Sequence, residues 1–243
     1  MRRLIFVFLA LLLGLAGCAS LSKHSASVDN TATAAPLPPY SGPKARIAVA
    51  DFDVKAAKAT REIGSGLREM LMTALINSNR FSVVERQALG AVIQEQELSA
   101  SGVAQGDGGT QRGKIKTADL MITAAVTEFE PEASGGAAGV GGGGGVGSGI
   151  LGGILGVALN KAHMALEIRI VDTSTSEILA ATRLQGQASD VSGAIMGGVF
   201  GRHGLGTGLS AYANTPMEKA IRICIIEAIR YVSQVTPANY YKY

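Results

Sequence analysis

Three groups of residues in this chain have side chains that can do chemistry: a glycine-rich stretch, a pair of aspartates and three histidines. Gly108–Lys114 nearly matches a phosphate-binding loop, but Ile115 stands where the loop needs a hydroxyl for Mg²⁺. Asp51 and Asp53 end the first predicted strand, with no further ligand nearby in sequence. No histidine has a companion Ser, Cys or metal ligand at a useful spacing. The sequence therefore predicts no catalytic residue, no metal site and no cofactor, and we expect that the protein is not an enzyme.

The one cysteine with a defined chemical context lies near the N-terminus. Two arginines precede the apolar stretch Leu4–Ala16, which is too short for a membrane span of ~20 residues and is typical of a secretory signal. Leu15–Cys18 resembles a bacterial lipobox, in which the cysteine becomes an acylated N-terminus. We therefore expect residues 1–17 to be removed and Cys18 to be lipidated. No aspartate follows Cys18 as an inner-membrane retention signal, which favours the outer membrane, with the protein facing the periplasm.

Composition and charge limit the remaining classes of function. The net charge is +3 and aromatic residues make up 5% of the chain, so a nucleic-acid partner is not expected. Residues 18–44 are rich in Ala, Ser, Thr and Pro, which predicts a flexible tether after the lipidated cysteine. The second cysteine, Cys224, lies on an apolar helix face and is expected to be a buried free thiol.

Residues 45–235 have the periodicity of an α/β domain. The apolar run Ile47–Ala50 predicts a strand covered on both faces. Strict alternation over Lys161–Ile170 predicts a strand with one buried and one solvated face. A five-residue turn follows it, so the next strand should pair antiparallel. Thr215 and Pro216 open the last helix as cap and first residue. The element order is β-α-β-α-β-β-β-α, which indicates a two-layer α/β sandwich.

Three smaller features accompany these elements. Apolar residues at helical spacing, from Leu89 to Leu98, predict the second helix. Glu85 and Arg86 end the second strand, where they can form a structural ion pair or contact a partner. Residues 236–243 are expected to be a frayed C-terminal tail.

Glycine is concentrated in two windows that interrupt this domain. Of 32 glycines, 13 lie in Gly135–Gly156 and eight in Gly186–Gly208. Apolar loops of this length are unusual in a soluble domain. The predicted inserts, residues 133–160 and 189–213, are each long enough for two membrane-crossing strands of ~9–11 residues. Four strands cannot close a barrel, so this interpretation requires several copies in a ring.

The residues expected on these candidate membrane hairpins are Gly135, Gly136, Gly141, Ile150, Leu151, Val191, Ile195, Val199, Phe200, Leu205 and Leu209. Three other structures are compatible with the same composition. The windows can be flexible linkers, they can lie on a membrane without crossing it, or Ile150–Gly156 can form a glycine-faced helix that packs on another helix.

Several stretches, taken together, resemble the CsgG family of outer-membrane lipoprotein channels for curli subunits. They are the lipobox at Cys18, Arg46–Val49 with Asp51 and Phe52, Glu85–Leu89, Asp119–Ile122, Ile168–Leu179 and Asn214–Pro216. The resemblance implies a homo-oligomeric ring, with the two inserts as hairpins of a shared barrel above a periplasmic α/β domain. In the family, a loop with aromatic and amide residues narrows the pore. Here the corresponding stretch, Asp53–Thr60, is short and has neither, and Lys55 and Lys58 take the pore-loop positions.

The resemblance implies a secretion or assembly channel for an extracellular polypeptide, such as a surface fibre or adhesin subunit. Its partners would be further copies of itself, outer-membrane lipid, the secreted polypeptide and accessory secretion factors. The alternative hypothesis is a periplasmic outer-membrane lipoprotein that assembles or activates other envelope machinery without forming a pore.

Overall fold

A computed structural model describes residues 37–103, 112–134, 160–188, 208–213 and 215–243. The strands are β1 (Ala45–Val54), β2 (Phe81–Val83), β3 (Leu120–Ser134), β4 (Asn160–Asp172) and β5 (Ile178–Ala188). The helices are α1 (Arg61–Asn77), α2 (Leu89–Ala100) and α3 (Pro216–Val235), and two single-turn 3₁₀ segments span Ser210–Tyr212 and Ala238–Tyr240. This is the predicted β-α-β-α-β-β-β-α order.

The five strands form one sheet in the order β2-β1-β3-β4-β5. β1 is parallel to both of its neighbours, while β3, β4 and β5 are successively antiparallel. The antiparallel pairing of β4 and β5 confirms the expectation from the short turn between them. The carboxyl ends of β1 and β3 therefore lie at the same end of the sheet. β4 begins and β5 ends at this end too.

Helices α1 and α3 cover one face of the sheet and form the core with it. Their buried faces repeat at helical spacing and pack on the inward side chains of the central strands. Thr60 caps α1 by accepting from the Ile63 N–H at 3.4 Å, and Thr215 caps α3 by accepting from the Glu218 N–H at 3.4 Å. Pro216 is the first residue of α3, as its fixed φ favours. The alternating positions of β4 contribute five buried side chains: Ala162, Met164, Leu166, Ile168 and Ile170.

Among the described residues, no helix lies over the opposite face of the sheet, although Ala48 of β1 is buried on that face. Ile47 and Val49 lie in the core, whereas Ala48 and Ala50 line a cavity on the other side. The run was apolar on both sides because alanine at alternate positions suits the floor of a cavity as well as a helix contact. The architecture is therefore a two-layer sandwich.

The C-terminal residues of the chain lie beside the first residue of β1 and pack against the domain there. Tyr241 bridges Ala45 and packs on Phe81 with ring centroids 6.0 Å apart. The hydroxyl of Tyr240 donates a hydrogen bond to Asp172. These contacts tie residues 236–243 to the domain, so the expectation of a frayed tail was wrong.

The last residues of the predicted tether also belong to the folded body. The backbone carbonyl of Tyr40 accepts a hydrogen bond from Asn79 at 2.7 Å, and that of Pro38 accepts one from Arg80 at 3.1 Å. The guanidinium of Arg80 lies 4.6 Å from the centroid of the Tyr40 ring. The chain thus enters β1 already packed against the domain, at the end of the sheet opposite to the last residues of β3.

Candidate functional site

Both glycine-rich segments are attached to the strands at one end of the sheet. Ser134, the last residue of β3, pairs with Asn160, the first residue of β4. Two residues further along β4, Ala162 lies opposite Ala188, the last residue of β5. Three neighbouring strands therefore end in a row, and residues 135–159 and the segment from 189 onwards continue from them. We call this end of the sheet the insert pole.

The second segment returns to the body beside the insert pole. Gly208 has φ +87°, and a Cβ there would lie 2.7 Å from the carbonyl carbon of Glu62, so the return requires glycine. Leu209 follows it and is completely buried in the core. The expectation that Leu209 faces a membrane was therefore wrong, because its side chain lies in the core of the domain. Tyr212 completes the return by packing edge-on against Phe129, with centroids 5.2 Å apart.

The remaining hairpin residues predicted from sequence lie outside the described residues, and so does Cys18. They are Gly135, Gly136, Gly141, Ile150, Leu151, Val191, Ile195, Val199, Phe200 and Leu205. The structure therefore fixes where the two segments attach, while these residue assignments stay predictions.

The candidate pore loop also lies towards the insert pole. The N–H groups of Lys55 and Ala56 both donate to the carbonyl of Val126 on β3, at 2.9 and 3.0 Å. The side chain of Lys55 is exposed, whereas Lys58 forms an ion pair with Glu130, four residues before the end of β3. The loop is thus held against β3, and of its two lysines Lys55 has no ion pair with another described residue.

A polar cluster spans three strands near the insert pole, on the face of the sheet opposite to α1 and α3, which we call the open face. The carboxylate of Glu128 on β3 binds both the imidazole of His163 on β4 and the guanidinium of Arg183 on β5. The hydrogen bond with His163, followed by that with Arg183, holds the pKa of Glu128 below its usual value. The cluster therefore ties together the same three strands from which the glycine-rich segments continue.

A cavity of about 720 Å³ lies further down the open face, beside β1. Its floor is small and apolar, with Ala48, Ala50 and Met121, and Arg86 stands among the lining residues. The guanidinium of Arg86 donates to the carbonyls of Glu85 and Lys116, at 2.9 and 3.1 Å. Arg86 thus braces the chain that forms the rim of the cavity.

The residues around Arg86 do not form the ion pair that the sequence allowed. The carboxylate of Glu85 accepts from the N–H groups of Gln87 and Ala88, at 2.5 and 3.1 Å, just before α2 begins. These backbone N–H groups, first that of Ala88, hold the pKa of Glu85 below its usual value. Gln87 accepts a hydrogen bond from the buried guanidinium of Arg68. Sequence reasoning missed this arrangement, and the only signal was the juxtaposition of Glu, Arg and Gln directly after a strand.

The acidic pair predicted at the end of β1 is solvated. The side chain of Asp51 is 82% exposed and its carboxylate lies 3.7 Å from the Arg68 guanidinium. Within the described ranges, no group of three or more His, Cys, Asp or Glu residues is placed to hold a metal ion. In the same part of the chain, no helix combines the length and the apolar character that crossing a bilayer requires.

The sequence matches a known protein family over most of its length. The model of the family described as curli production assembly/transport component CsgG matches residues 27–240. The chain belongs to the CsgG family. A Neisseria meningitidis serogroup B protein named as a lipoprotein, NMB1126/NMB1164, is 30% identical over 235 residues, which cover 94% of this chain and 92% of that protein.

Solved structures with a related arrangement are much more distant from this CsgG-family chain. The hypothetical protein CT253 from Chlamydia trachomatis has 13% identity and a TM-score of 0.47, over 81% of this chain and 99% of that one. Lipoprotein GNA1162 from Neisseria meningitidis has 15% identity and a TM-score of 0.32, over 64% of this chain and 90% of that one. Likenesses at this level carry no information about function.

Proposed function

We propose that this CsgG-family protein is an outer-membrane lipoprotein, anchored through Cys18, whose copies form a ring around a shared β-barrel that exports a polypeptide. The barrel strands would come from residues 135–159 and 189–207, and the α/β body would stay in the periplasm. The observation that carries the proposal is the insert pole, where three adjacent strands end in a row and both glycine-rich segments continue from them.

The length of the first segment supports a hairpin, whereas the second leaves about one residue for the turn even with strands of the minimum crossing length, ~9 residues. Residues 135–159 and 189–207 are 25 and 19 residues long, against ~9–11 residues for one tilted membrane-crossing strand. A segment that prolongs a paired strand starts with its first hydrogen bonds already in register, because β3 and β4 are paired up to Ser134 and Asn160. Four strands from one chain leave open edges that lipid does not tolerate, so the proposal includes a closed ring of several copies.

The export role needs no chemistry from this chain. We propose no catalytic role, and we assign passage of the polypeptide to diffusion through the ring, with Lys55 facing the pore. The secreted polypeptide and any accessory secretion factors belong to this proposal as its partners, and no nucleic acid does.

The proposal is tested with full-length lipidated protein purified in detergent. Rings in electron micrographs together with stepwise conductance in planar bilayers are the expected results. The matched control replaces residues 135–159 and 189–207 by short Gly-Ser linkers, which should leave the circular dichroism of the body unchanged and abolish conductance. Monomers without conductance, or a linker variant that conducts like the wild type, would refute the pore and favour a lipoprotein that assembles other envelope machinery.

The anchor is tested separately. Cys18→Ala should abolish incorporation of labelled fatty acid, while Cys224→Ala should leave it unchanged. Equal incorporation into the Cys18→Ala variant would contradict the lipidation of Cys18.

A further inference from the structure

Helix α2 carries apolar side chains that the described part of the chain leaves exposed. None of its 12 residues is buried within the part of the chain that the structure describes. Val92 and Ile93 are each 41% exposed and Leu98 is 45% exposed, and a side chain at Gly90 would meet open space. A helix of this length is only marginally stable in water without tertiary packing. Packing of these side chains against a surface outside the described residues would therefore stabilise α2.

The charge of α2 limits what that partner can be. The helix carries Glu95 and Glu97, both exposed, and no Lys or Arg between Leu89 and Ala100. A surface that suits it must offer apolar contacts for the aliphatic side chains and positive charge at its edge. A membrane surface rich in anionic lipid would repel the two carboxylates.

The cavity beside β1 offers both properties. Its floor is apolar, and its rim carries Arg86, whose guanidinium has no carboxylate partner among the described residues. The segment that Arg86 braces adds two exposed cations, Lys114 and Lys116. The two carboxylates that line the cavity already have cations near them: Asp51 lies 3.7 Å from Arg68, and Asp119 lies 3.9 Å from Lys242.

We propose that α2 of one copy of this chain lies over the cavity of the next copy, with Glu95 and Glu97 against Arg86 of the rim and the exposed Lys114 and Lys116 of the adjoining segment. The helix begins just after Gln87, which lines the cavity of its own chain, and it is exposed there, so in the proposed contact the cavity of another copy receives it. Two different patches that meet in this way form a head-to-tail contact. Such a contact closes into a ring when the rotation from one copy to the next divides a full turn evenly. This inference rests on the homo-oligomeric part of the proposed function and names its contact surface.

Charge reversal tests the contact in the full-length protein in detergent, with ring assembly read by mass photometry. Glu95→Arg with Glu97→Arg should lower the ring fraction at least about tenfold, and so should Lys114→Glu with Lys116→Glu. Combining all four substitutions in one chain should restore rings. Glu69→Arg, at an exposed position of α1, is the matched control and should assemble normally. Rings that persist in both double variants, or a fourfold variant that fails to assemble, would overturn the inference.

A cross-link distinguishes this inference from the pore itself. Ile93→Cys chains co-expressed with tagged Thr117→Cys chains should form an intermolecular disulfide, which neither variant forms alone; Cys224 is buried and does not interfere. Conducting rings that show no cross-link would overturn the α2 contact and leave the pore standing. Cross-linked copies without conductance would support the contact and refute the pore. Monomers with no cross-link would refute both.

Discussion

Helix α3 approaches β5 closely at Gly186, where an added Cβ would overlap the carbonyl oxygen of Ala220, and we predict that Gly186→Ala strongly destabilises the protein. The added Cβ would lie 2.9 Å from the carbonyl carbon of Ala220 and 3.1 Å from the Cβ of Cys224, both on α3. Neither atom can rotate away, so α3 and β5 must separate by about an ångström. Overpacking costs ~1–3 kcal/mol and occasionally more, and we expect about 3 kcal/mol here because the obstacle is backbone. For a chain of this size that corresponds to a melting temperature lower by roughly 6–12 °C.

Urea and thermal unfolding followed by circular dichroism measure this effect on the full-length protein in detergent. The matched control is Gly90→Ala in α2, where the new Cβ meets no atom within 4 Å. Alanine is favoured over glycine in a helix by up to ~1 kcal/mol, so the control should be neutral or slightly stabilising. A Gly186→Ala protein that unfolds within about 1 kcal/mol of the wild type would refute the close packing of α3 on β5.

Three further predictions follow from burial and charge. Burial raises the pKa of the Cys224 thiol to about 12, so a thiol reagent at pH 8 should label it only after denaturation; rapid labelling of native protein would contradict this. The pKa of Glu128 is lowered in the folded state. Its ionised carboxylate therefore stabilises the fold at pH values above the ordinary pKa of ~4.3, and this stabilisation is lost as the pH falls through the lowered pKa. The side chain of Glu128 is 39% exposed, so Glu128→Gln should lower the free energy of unfolding by under ~1 kcal/mol at pH 7 and leave it unchanged in acid. The midpoints of urea unfolding measure this difference, and a difference that grows in acid would contradict the prediction. Lys55→Glu should shift the selectivity of the conducting ring towards cations, whereas Lys44→Glu, at the opposite end of the sheet, should not; equal shifts would remove Lys55 from the pore.

The sequence was most informative where burial imposes a strict period. The alternation through β4 predicted its buried face residue by residue, and Thr215 with Pro216 predicted the start of α3, because both signals are local. The same local pattern also predicted α2 correctly as a helix. It could not show that the described residues leave α2 exposed, since a helical period specifies a face and does not specify what covers it.

The errors arose where contacts join distant parts of the chain. Leu209 fitted a two-residue rhythm, but the close approach of Gly208 to Glu62 turns that stretch into the core. The C-terminal residues were predicted to be frayed because the residues that Tyr241 contacts, Ala45 and Phe81, are distant in sequence. No periodicity reports such pairings, and the candidate cavity was missed for the same reason.

The placement of the N-terminal segment has a consequence for how the molecule stands relative to a membrane. The chain joins β1 at the end of the sheet opposite the insert pole, and β3, with 15 residues, spans ~50 Å between the two ends. Between Cys18 and Leu37 there are 18 residues, which reach at most ~60 Å when fully extended. If the acyl chains and the hairpins are to lie in one bilayer, these 18 residues must be almost fully extended to span the length of the sheet. For this segment, then, chain length is the quantity under constraint, and many sequences of equal length would serve.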